Sequence, residues 1–160
     1  MSFRVCFHGD LDLFLKTGSE IKKEFLCERF TPVKDVIESM GVPHTEIGTI
    51  MAEGKERDFG FLPEEGISVH VFPITPPLDI TNPTLLRPEP FTKIHFVADV
   101  NVGKLARLLR IAGFDTAYNN SWNDSTIASL ADGEKRVVLT KDRNLLKRKV
   151  ISYGRLIRSI

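Results

Sequence analysis

Two aspartates follow apolar runs at comparable places in the second half of the chain. Asp99 ends the run HFVAD, and Asp142 is separated from the run RVVLT by one lysine. In an open parallel sheet, the residues that follow the strands gather at the carboxyl edge. Asp124 begins a helix-like stretch after another short strand and would reach the same edge. We therefore predict that Asp99, Asp124 and Asp142 converge.

Three converging carboxylates repel one another, so the cluster either takes up protons or binds a cation. Mg²⁺ and Mn²⁺ are hard ions that prefer oxygen ligands. The alternative is that each aspartate only caps the helix it precedes. Capping is the preferred interpretation for Asp124 alone, whereas Asp99 and Asp142, each following an apolar strand, together favour a site.

The charge of the chain is divided unevenly. Residues 1–92 carry 9 Lys and Arg against 15 Asp and Glu, whereas residues 93–160 carry 13 against 6, which leaves the second part at +7. Such a basic part is suited to a polyanion, although attraction between the two parts is an equal alternative. Acidic residues inside a basic domain are typical of metal-dependent nucleases, in which cations attract the phosphate backbone.

The chain divides into two predicted domains. A proline-rich linker is predicted at 75–92, because proline fixes φ and removes a backbone donor. Residues 1–74 give an α+β pattern: two alternating strands around KTGS, then a helix starting at Thr31-Pro32, then the strands IGTIMAEG, KERDF and ISVHVFPI. The helix shows an apolar spacing and a terminating glycine: Val33, Val36, Ile37, Met40 and Gly41. This order predicts a β-grasp domain.

Residues 93–160 alternate between strands and helices. The strands are KIHFVADV, FDTAYN and RVVLT, with SYGRLIRSI as a final candidate. The helices are VGKLARLLRIAG, DSTIASLADG and NLLKRK. The first of these is predicted to bury four residues: Leu105, Leu108, Leu109 and Ala112. This βαβαβ order predicts an α/β domain with a parallel sheet.

The first domain resembles the ubiquitin-like domains of the sulfur-carrier type. The resemblance rests on TPVKDVIESMGVPHTEIG, AEGKERDF and GISVHVFPI. Those carriers end in a thiolated Gly-Gly tail, but here the strand runs into Phe72-Pro73-Ile74. We therefore disfavour carrier chemistry and expect this domain to bind a protein partner.

The second domain resembles the PIN-like ribonuclease domain named after the carboxy-terminal region of the Mut-seven exonuclease. The matching segments are FVADVNVGKLARLLRIAGFDTAY, SWNDSTIASLA and RVVLTKDRNLLKR. The resemblance implies a Mg²⁺- or Mn²⁺-dependent nuclease acting on RNA, with the metal held by Asp99, Asp124 and Asp142.

Other residues are assigned to the same predicted site. We expect Thr140 to orient Asp142 through its hydroxyl, and Asn101 to offer a carbonyl ligand or to bind substrate. Three basic residues, each of which has a solvated helix face as its alternative, are expected to contact phosphates: Lys104, Arg107 and Arg143. Tyr118 and Trp122 could stack on a base, although packing is favoured.

The resemblance also implies a further helix and a cysteine-rich zinc ribbon in family members. The sequence has no C-x-x-C pair, so we expect a truncated or short form without a zinc ribbon. No nucleotide-binding glycine motif is present. His70 and His95 lie in strand patterns and are interpreted as structural. No run of about 20 apolar residues indicates a membrane span, and Cys6 and Cys27 are interpreted as reduced core thiols, so a cytoplasmic protein is expected.

Two functions from different classes remain after sequence analysis. The first is a metal-dependent ribonuclease that hydrolyses RNA through the aspartate cluster. The second is a non-catalytic RNA-binding or scaffolding module whose ubiquitin-like domain recruits a partner.

Overall fold

The computed structural model describes residues 2–15 and 24–159, which divide into two compact units. The first unit comprises the described residues up to 78 together with 84–88, and the second comprises 79–83 and the described residues from 89 onward. The boundaries at 74 and 93, which were drawn from the proline-rich stretch, stay predictions.

The first unit is built on a five-stranded mixed sheet. Its strands are β1 (Phe3–Phe7), β2 (Glu24–Cys27), β3 (Ile47–Ala52), β4 (Lys55–Glu56) and β5 (Ser68–Pro73). The order is β2-β1-β5-β3-β4, in which β1 and β5 are parallel and the other neighbours antiparallel. The sheet confirms the predicted α+β, β-grasp-like class. The KTGS turn lies outside the described residues.

The helix of the first unit, α1 (Val33–Ser39), follows the predicted apolar spacing. Val33, Val36 and Ile37 are buried. Gly41 follows the helix with φ of 112°, a left-handed conformation that glycine adopts without strain. Pro32 occupies the N-cap rather than the first helical position, and the predicted strand KERDF is reduced to Lys55–Glu56. Two 3-10 helices, Gly9–Phe14 and His44–Glu46, complete the unit.

The second unit is built on a four-stranded sheet that is parallel throughout. Its strands are β6 (Phe96–Ala98), β7 (Thr116–Tyr118), β8 (Val137–Thr140) and β9 (Gly154–Leu156), in the order β7-β6-β8-β9. The helices are α2 (Gly103–Ile111), α3 (Asp124–Gly133) and α4 (Arg143–Leu146), with a 3-10 helix at Val100–Val102. This architecture confirms the predicted α/β class.

Apolar clusters form two parts of the core in this unit. One includes Ala98, Val102, Ala106 and Leu139, and the other includes Val97, Ile127, Val138 and Leu145. Adjacent strand residues belong to different clusters because successive side chains point to opposite faces of a sheet. All four residues of β8 are buried, as expected for a parallel strand covered on both faces.

The buried stripe of α2 differs from the predicted one. Ala106 is buried and Leu105 and Leu109 are partly buried, whereas Leu108 is 49% exposed and Ala112 is exposed. The inward positions are 102, 105, 106 and 109, which have the same helical spacing. The prediction of Leu108 and Ala112 was wrong because it extended the stripe toward the C-terminus, whereas the buried face starts at Val102, before the helix.

An ion pair ties the strands together at the amino edge of this sheet. Arg136 Nη1 donates to Asp115 Oδ1 at 2.7 Å and to the carbonyl oxygen of Phe96 at 3.0 Å. The hydrogen bond from Arg136 lowers the pKa of the Asp115 carboxyl. Asp115 therefore has a structural partner at the edge opposite to Asp99.

Gly103 is placed so that even a methyl group would collide with a neighbouring strand. A Cβ there would lie 2.6 Å from Tyr118 Oη and 2.8 Å from its Cζ. The Tyr118 ring is rigid and packs against the core. The whole ring would therefore have to move away from an alanine methyl group at position 103. We expect Gly103→Ala to reduce the free energy of unfolding by about 1–2 kcal/mol, measured by urea denaturation.

Gly133→Ala is the matched control, since it is also a helical glycine of the second unit and a Cβ there meets nothing within 4 Å. This variant should be neutral or stabilised by up to about 1 kcal/mol. Equal stability of the two variants would contradict the packing argument.

Candidate active site

Asp99 is a nearly buried carboxylate at the carboxyl end of β6. Its exposed fraction is 5%. The Asp99 amide donates to the carbonyl oxygen of Leu139 at 2.9 Å, which extends the pairing of β6 with β8 by one residue. The side chain caps the following 3-10 helix, because Oδ1 accepts from the Val100 amide at 2.6 Å. The aspartate thus both caps a helix and lies at the predicted edge.

Thr140 joins the two strand-end aspartates. Its hydroxyl donates to Asp99 Oδ2 at 2.7 Å and accepts from the Asp142 amide at 2.9 Å. Thr140 is fully buried, so this hydroxyl has no water to replace either partner. The hydroxyl was expected to orient Asp142. It contacts Asp142 through the backbone amide, and it also holds the Asp99 carboxylate.

Asp142 is the N-cap of α4. Its Oδ1 accepts from the Asn144 amide at 2.8 Å, and the side chain is partly exposed. Asp142 therefore does cap the helix that it precedes, as the alternative interpretation predicted. Its backbone amide is also bound to the Thr140 hydroxyl, which donates to Asp99. Capping and ligation are compatible in principle, since each carboxylate oxygen has a second lone pair.

Asp124 lies in the first turn of α3 but does not cap it. The cap is Asn123, whose Oδ1 accepts from the Thr126 amide at 2.9 Å. Asp124 follows the carboxyl end of β7, which is parallel to β6, so it is on the same side of the sheet as Asp99. Its side chain is partly exposed. Within the described residues, no hydrogen bond joins Asp124 to Asp99 or Asp142.

Thr140 links the Asp99 side chain to the Asp142 backbone, and among the described residues no such hydrogen bond reaches Asp124. Among residues 2–15 and 24–159, no group of three or more His, Cys, Asp or Glu side chains is arranged to hold one ion. Metal binding therefore stays a prediction. The available donors are nonetheless hard oxygens, and no Lys, Arg or His of the described part forms an ion pair with the nearly buried Asp99. An ionised carboxylate in such a place is costly without a cation, so the donors fit Mg²⁺ or Mn²⁺ chemically.

Asn101 has a structural contact that sequence analysis missed. Its Oδ1 accepts from the Lys141 amide at 3.1 Å. This bond connects the 3-10 helix after β6 to the loop after β8. Asn101 therefore helps to hold the two segments that carry Asp99 and Asp142.

The predicted phosphate-binding residues lie on exposed helical positions. Lys104 and Arg107 are exposed on α2, and Arg143 is exposed at the start of α4. Two further basic residues come to the same edge. Lys141 is exposed between Thr140 and Asp142, and Arg158 follows Ile157, whose amide donates to the carbonyl oxygen of Thr140 at 2.8 Å. Arg158 reaches this edge because β9 pairs with β8, which the sequence alone does not reveal.

The aromatic residues near Asp124 have packing roles. Tyr118 packs against one core cluster of the second unit and Trp122 against the other. Both side chains are partly buried. This agrees with the favoured interpretation of the two residues.

Family models match both parts of the chain. Residues 1–79 match Mut7-C ubiquitin, and residues 94–160 match the Mut7-C RNAse domain. A comparison with the curated proteins found no match, and one with the solved structures found none either. The two matches confirm the predicted order of a ubiquitin-like domain before a ribonuclease-type domain. The second match points to a nuclease-like function.

In the part of the chain that the structure describes, no helix is both long and apolar enough to cross a membrane.

Replacement of Thr140 by valine tests the hydrogen-bond arrangement. Valine keeps the shape but leaves Asp99 Oδ2 without a donor and the Asp142 amide without an acceptor. We expect the free energy of unfolding to fall by about 1–3 kcal/mol, measured by chemical denaturation. Thr126→Val, which removes a hydroxyl from an exposed contact with Asn123, should change stability by less than about 0.5 kcal/mol. A Thr140→Val protein as stable as this control would show that the buried network is unimportant.

Proposed function

We propose that this chain, whose two halves belong to the Mut7-C ubiquitin and Mut7-C RNAse families, is a ribonuclease that depends on a divalent metal ion. The reaction is hydrolysis of RNA phosphodiesters at the carboxyl edge of the parallel sheet. The observation that carries the proposal is the nearly buried Asp99 carboxylate, held by the Thr140 hydroxyl and paired with no cationic side chain among the described residues.

Asp99, Asp142 and Asp124 are the residues that would hold Mg²⁺ or Mn²⁺. Asp99 is fixed on two sides by Val100 and Thr140, so little conformational freedom remains to be lost on binding. When bound, the ion would supply an activated water and neutralise charge on the phosphate. The role of this chain's own residues is to present carboxylate oxygens on one rigid edge.

The exposed cations around this edge would position the RNA backbone. Lys104 and Arg107 lie three residues apart on α2 and therefore share one helix face. Lys141 lies on the other side of Asp99, in the loop after β8. Basic side chains on both sides of the acidic residues would neutralise phosphates before and after the reacting bond. Asn101 connects the two loops through its Oδ1, and its exposed side chain stays a predicted substrate contact.

The first unit is proposed to bind a protein partner, as the sequence suggested. Among the described residues of this unit, Leu26 is the most exposed large apolar side chain, at 69%, and it lies on the edge strand β2. An apolar side chain on an open sheet edge is a feature that partners can use.

Substitution of the strand-end aspartates tests catalysis. We expect Asp99→Asn and Asp142→Asn each to reduce Mn²⁺-dependent cleavage of a labelled RNA by about 100-fold or more, because each removes a negatively charged oxygen ligand. Asp132→Asn is the control, since Asp132 is exposed and pairs only with Lys135 among the described contacts; its cleavage rate should be unchanged.

Equal cleavage by all four proteins would refute the assignment of Asp99 and Asp142. RNA binding without cleavage, and without a metal requirement, would favour the non-catalytic RNA-binding module instead. Thermal denaturation of each variant separates loss of activity from loss of folding.

The basic helix face makes a separate prediction about binding. We expect Lys104→Ala with Arg107→Ala to weaken RNA binding and to reduce the slope of log affinity against log salt by about 0.7 for each lost phosphate contact. Lys93→Ala is the control, because Lys93 is exposed just before β6, at the opposite end of the strands. Fluorescence anisotropy over a salt series measures both slopes, and an unchanged slope in the double variant would exclude α2 from the interface.

A further inference from the structure

Two histidines of the first unit face each other across neighbouring strands. His8 directly follows β1, and its amide donates to the carbonyl oxygen of Val71 at 2.9 Å. This contact continues the parallel pairing of β1 with β5 and brings His8 beside His70. The two rings approach so that His8 Nε2 and His70 Nδ1 are 3.0 Å apart.

The orientation of the pair is supported by an aromatic neighbour. The His8 ring stacks on Phe72 with centroids 4.3 Å apart and planes inclined by 10°. The His8 and His70 rings are inclined by 32° with centroids 5.2 Å apart. Both histidines are partly exposed, so solvent and dissolved ions can reach the pair.

The chemistry of the gap between the rings limits what it can hold. An imidazole pair at hydrogen-bond distance needs one nitrogen to be an unprotonated acceptor, so at least one lone pair points into the gap. Replacing the shared proton by a metal ion would use a lone pair from each ring. For metal–nitrogen distances of about 2.0–2.1 Å, nitrogens 3.0 Å apart correspond to an angle of about 90° at the ion. This is the angle between adjacent ligands in square-planar and octahedral complexes.

We propose that His8 Nε2 and His70 Nδ1 form a two-nitrogen binding site for a late first-row divalent ion such as Ni²⁺ or Cu²⁺. Water fills the remaining coordination positions, because among the described residues no third His, Cys, Asp or Glu is arranged with the pair to hold an ion. The two nitrogens lie almost in line with both ring centroids, so each ring turns by roughly 40° for its lone pair to face the ion. The proton that lies between the nitrogens moves to the other nitrogen of its own ring. The affinity is lower than that of a closed four-ligand site.

Polar and sulfur-containing groups surround the pair. Cys6 and Met51 are the cross-strand partners of His70, and Glu24 is the partner of Cys6 on β2. The 3-10 helix that follows His8 carries Asp10 and Asp12. Burial raises the pKa of the Cys6 thiol, which disfavours the thiolate form that a metal ligand requires.

The test uses Ni²⁺ as the probe and the full chain. Isothermal titration calorimetry should give one Ni²⁺ per chain, with at least about tenfold weaker binding for His8→Gln and for His70→Gln. Cys6→Ser should bind as the unsubstituted protein does, which excludes the thiol as the ligand. In NMR spectra of the unsubstituted protein, Ni²⁺ should broaden the ring signals of His8 and His70 before those of His44 and His95.

Several results would overturn the site. These are the absence of Ni²⁺ binding at pH 7.5, unchanged affinity in both histidine variants, or simultaneous broadening of all four histidines. The NMR experiment needs no substitution, so it decides the question even if His8→Gln or His70→Gln does not fold.

Discussion

The main physical constraint on the second unit is the burial of the Asp99 carboxylate at the carboxyl end of β6, beside β8. Asp99 is almost completely removed from solvent, yet the groups that contact its oxygens are neutral donors, the Val100 amide and the Thr140 hydroxyl. Neutral hydrogen bonds reduce the cost of burying a negative charge but do not cancel the charge. The contacts that fix β6 and β8 at their carboxyl ends are therefore the ones on which the proposed cation site rests.

The strand order separates two kinds of acidic residue. At the amino edge, Asp115 meets the guanidinium of Arg136, and the pair serves the sheet. At the carboxyl edge, Asp99 and Asp142 meet amides and a hydroxyl instead. Because all four strands are parallel, every strand ends at the same edge, and the loops that follow the strands gather there. Among the described residues, Asp115 therefore has a cationic partner at the amino edge, whereas Asp99 and Asp142 at the carboxyl edge are bound by neutral groups.

Local patterns in the sequence were sufficient for most of the fold. Apolar runs predicted the parallel strands, and the spacing of Val33, Val36 and Ile37 predicted the buried face of α1. The α2 face was predicted wrongly because a helical period does not fix where a stripe begins. In α3 capping was the preferred interpretation for Asp124, but the cap is Asn123, since both side chains can accept from a backbone amide.

The contact that organises the candidate site was beyond sequence reasoning. Thr140 and Asp99 are 41 residues apart, and a threonine at the end of a strand gives no sign of which neighbouring strand it faces. The same limit explains the histidines of the first unit. His70 was interpreted as structural because it lies in a strand pattern. Its contact with His8 exists only once β1 and β5 are parallel neighbours.

The proposed metal sites of the two units offer different donor atoms, so each site is expected to prefer different ions. Carboxylate and hydroxyl oxygens of the second unit suit hard ions, which imidazole binds poorly, whereas the histidine pair suits ions that prefer nitrogen. An ion bound to one donor set therefore need not displace an ion from the other.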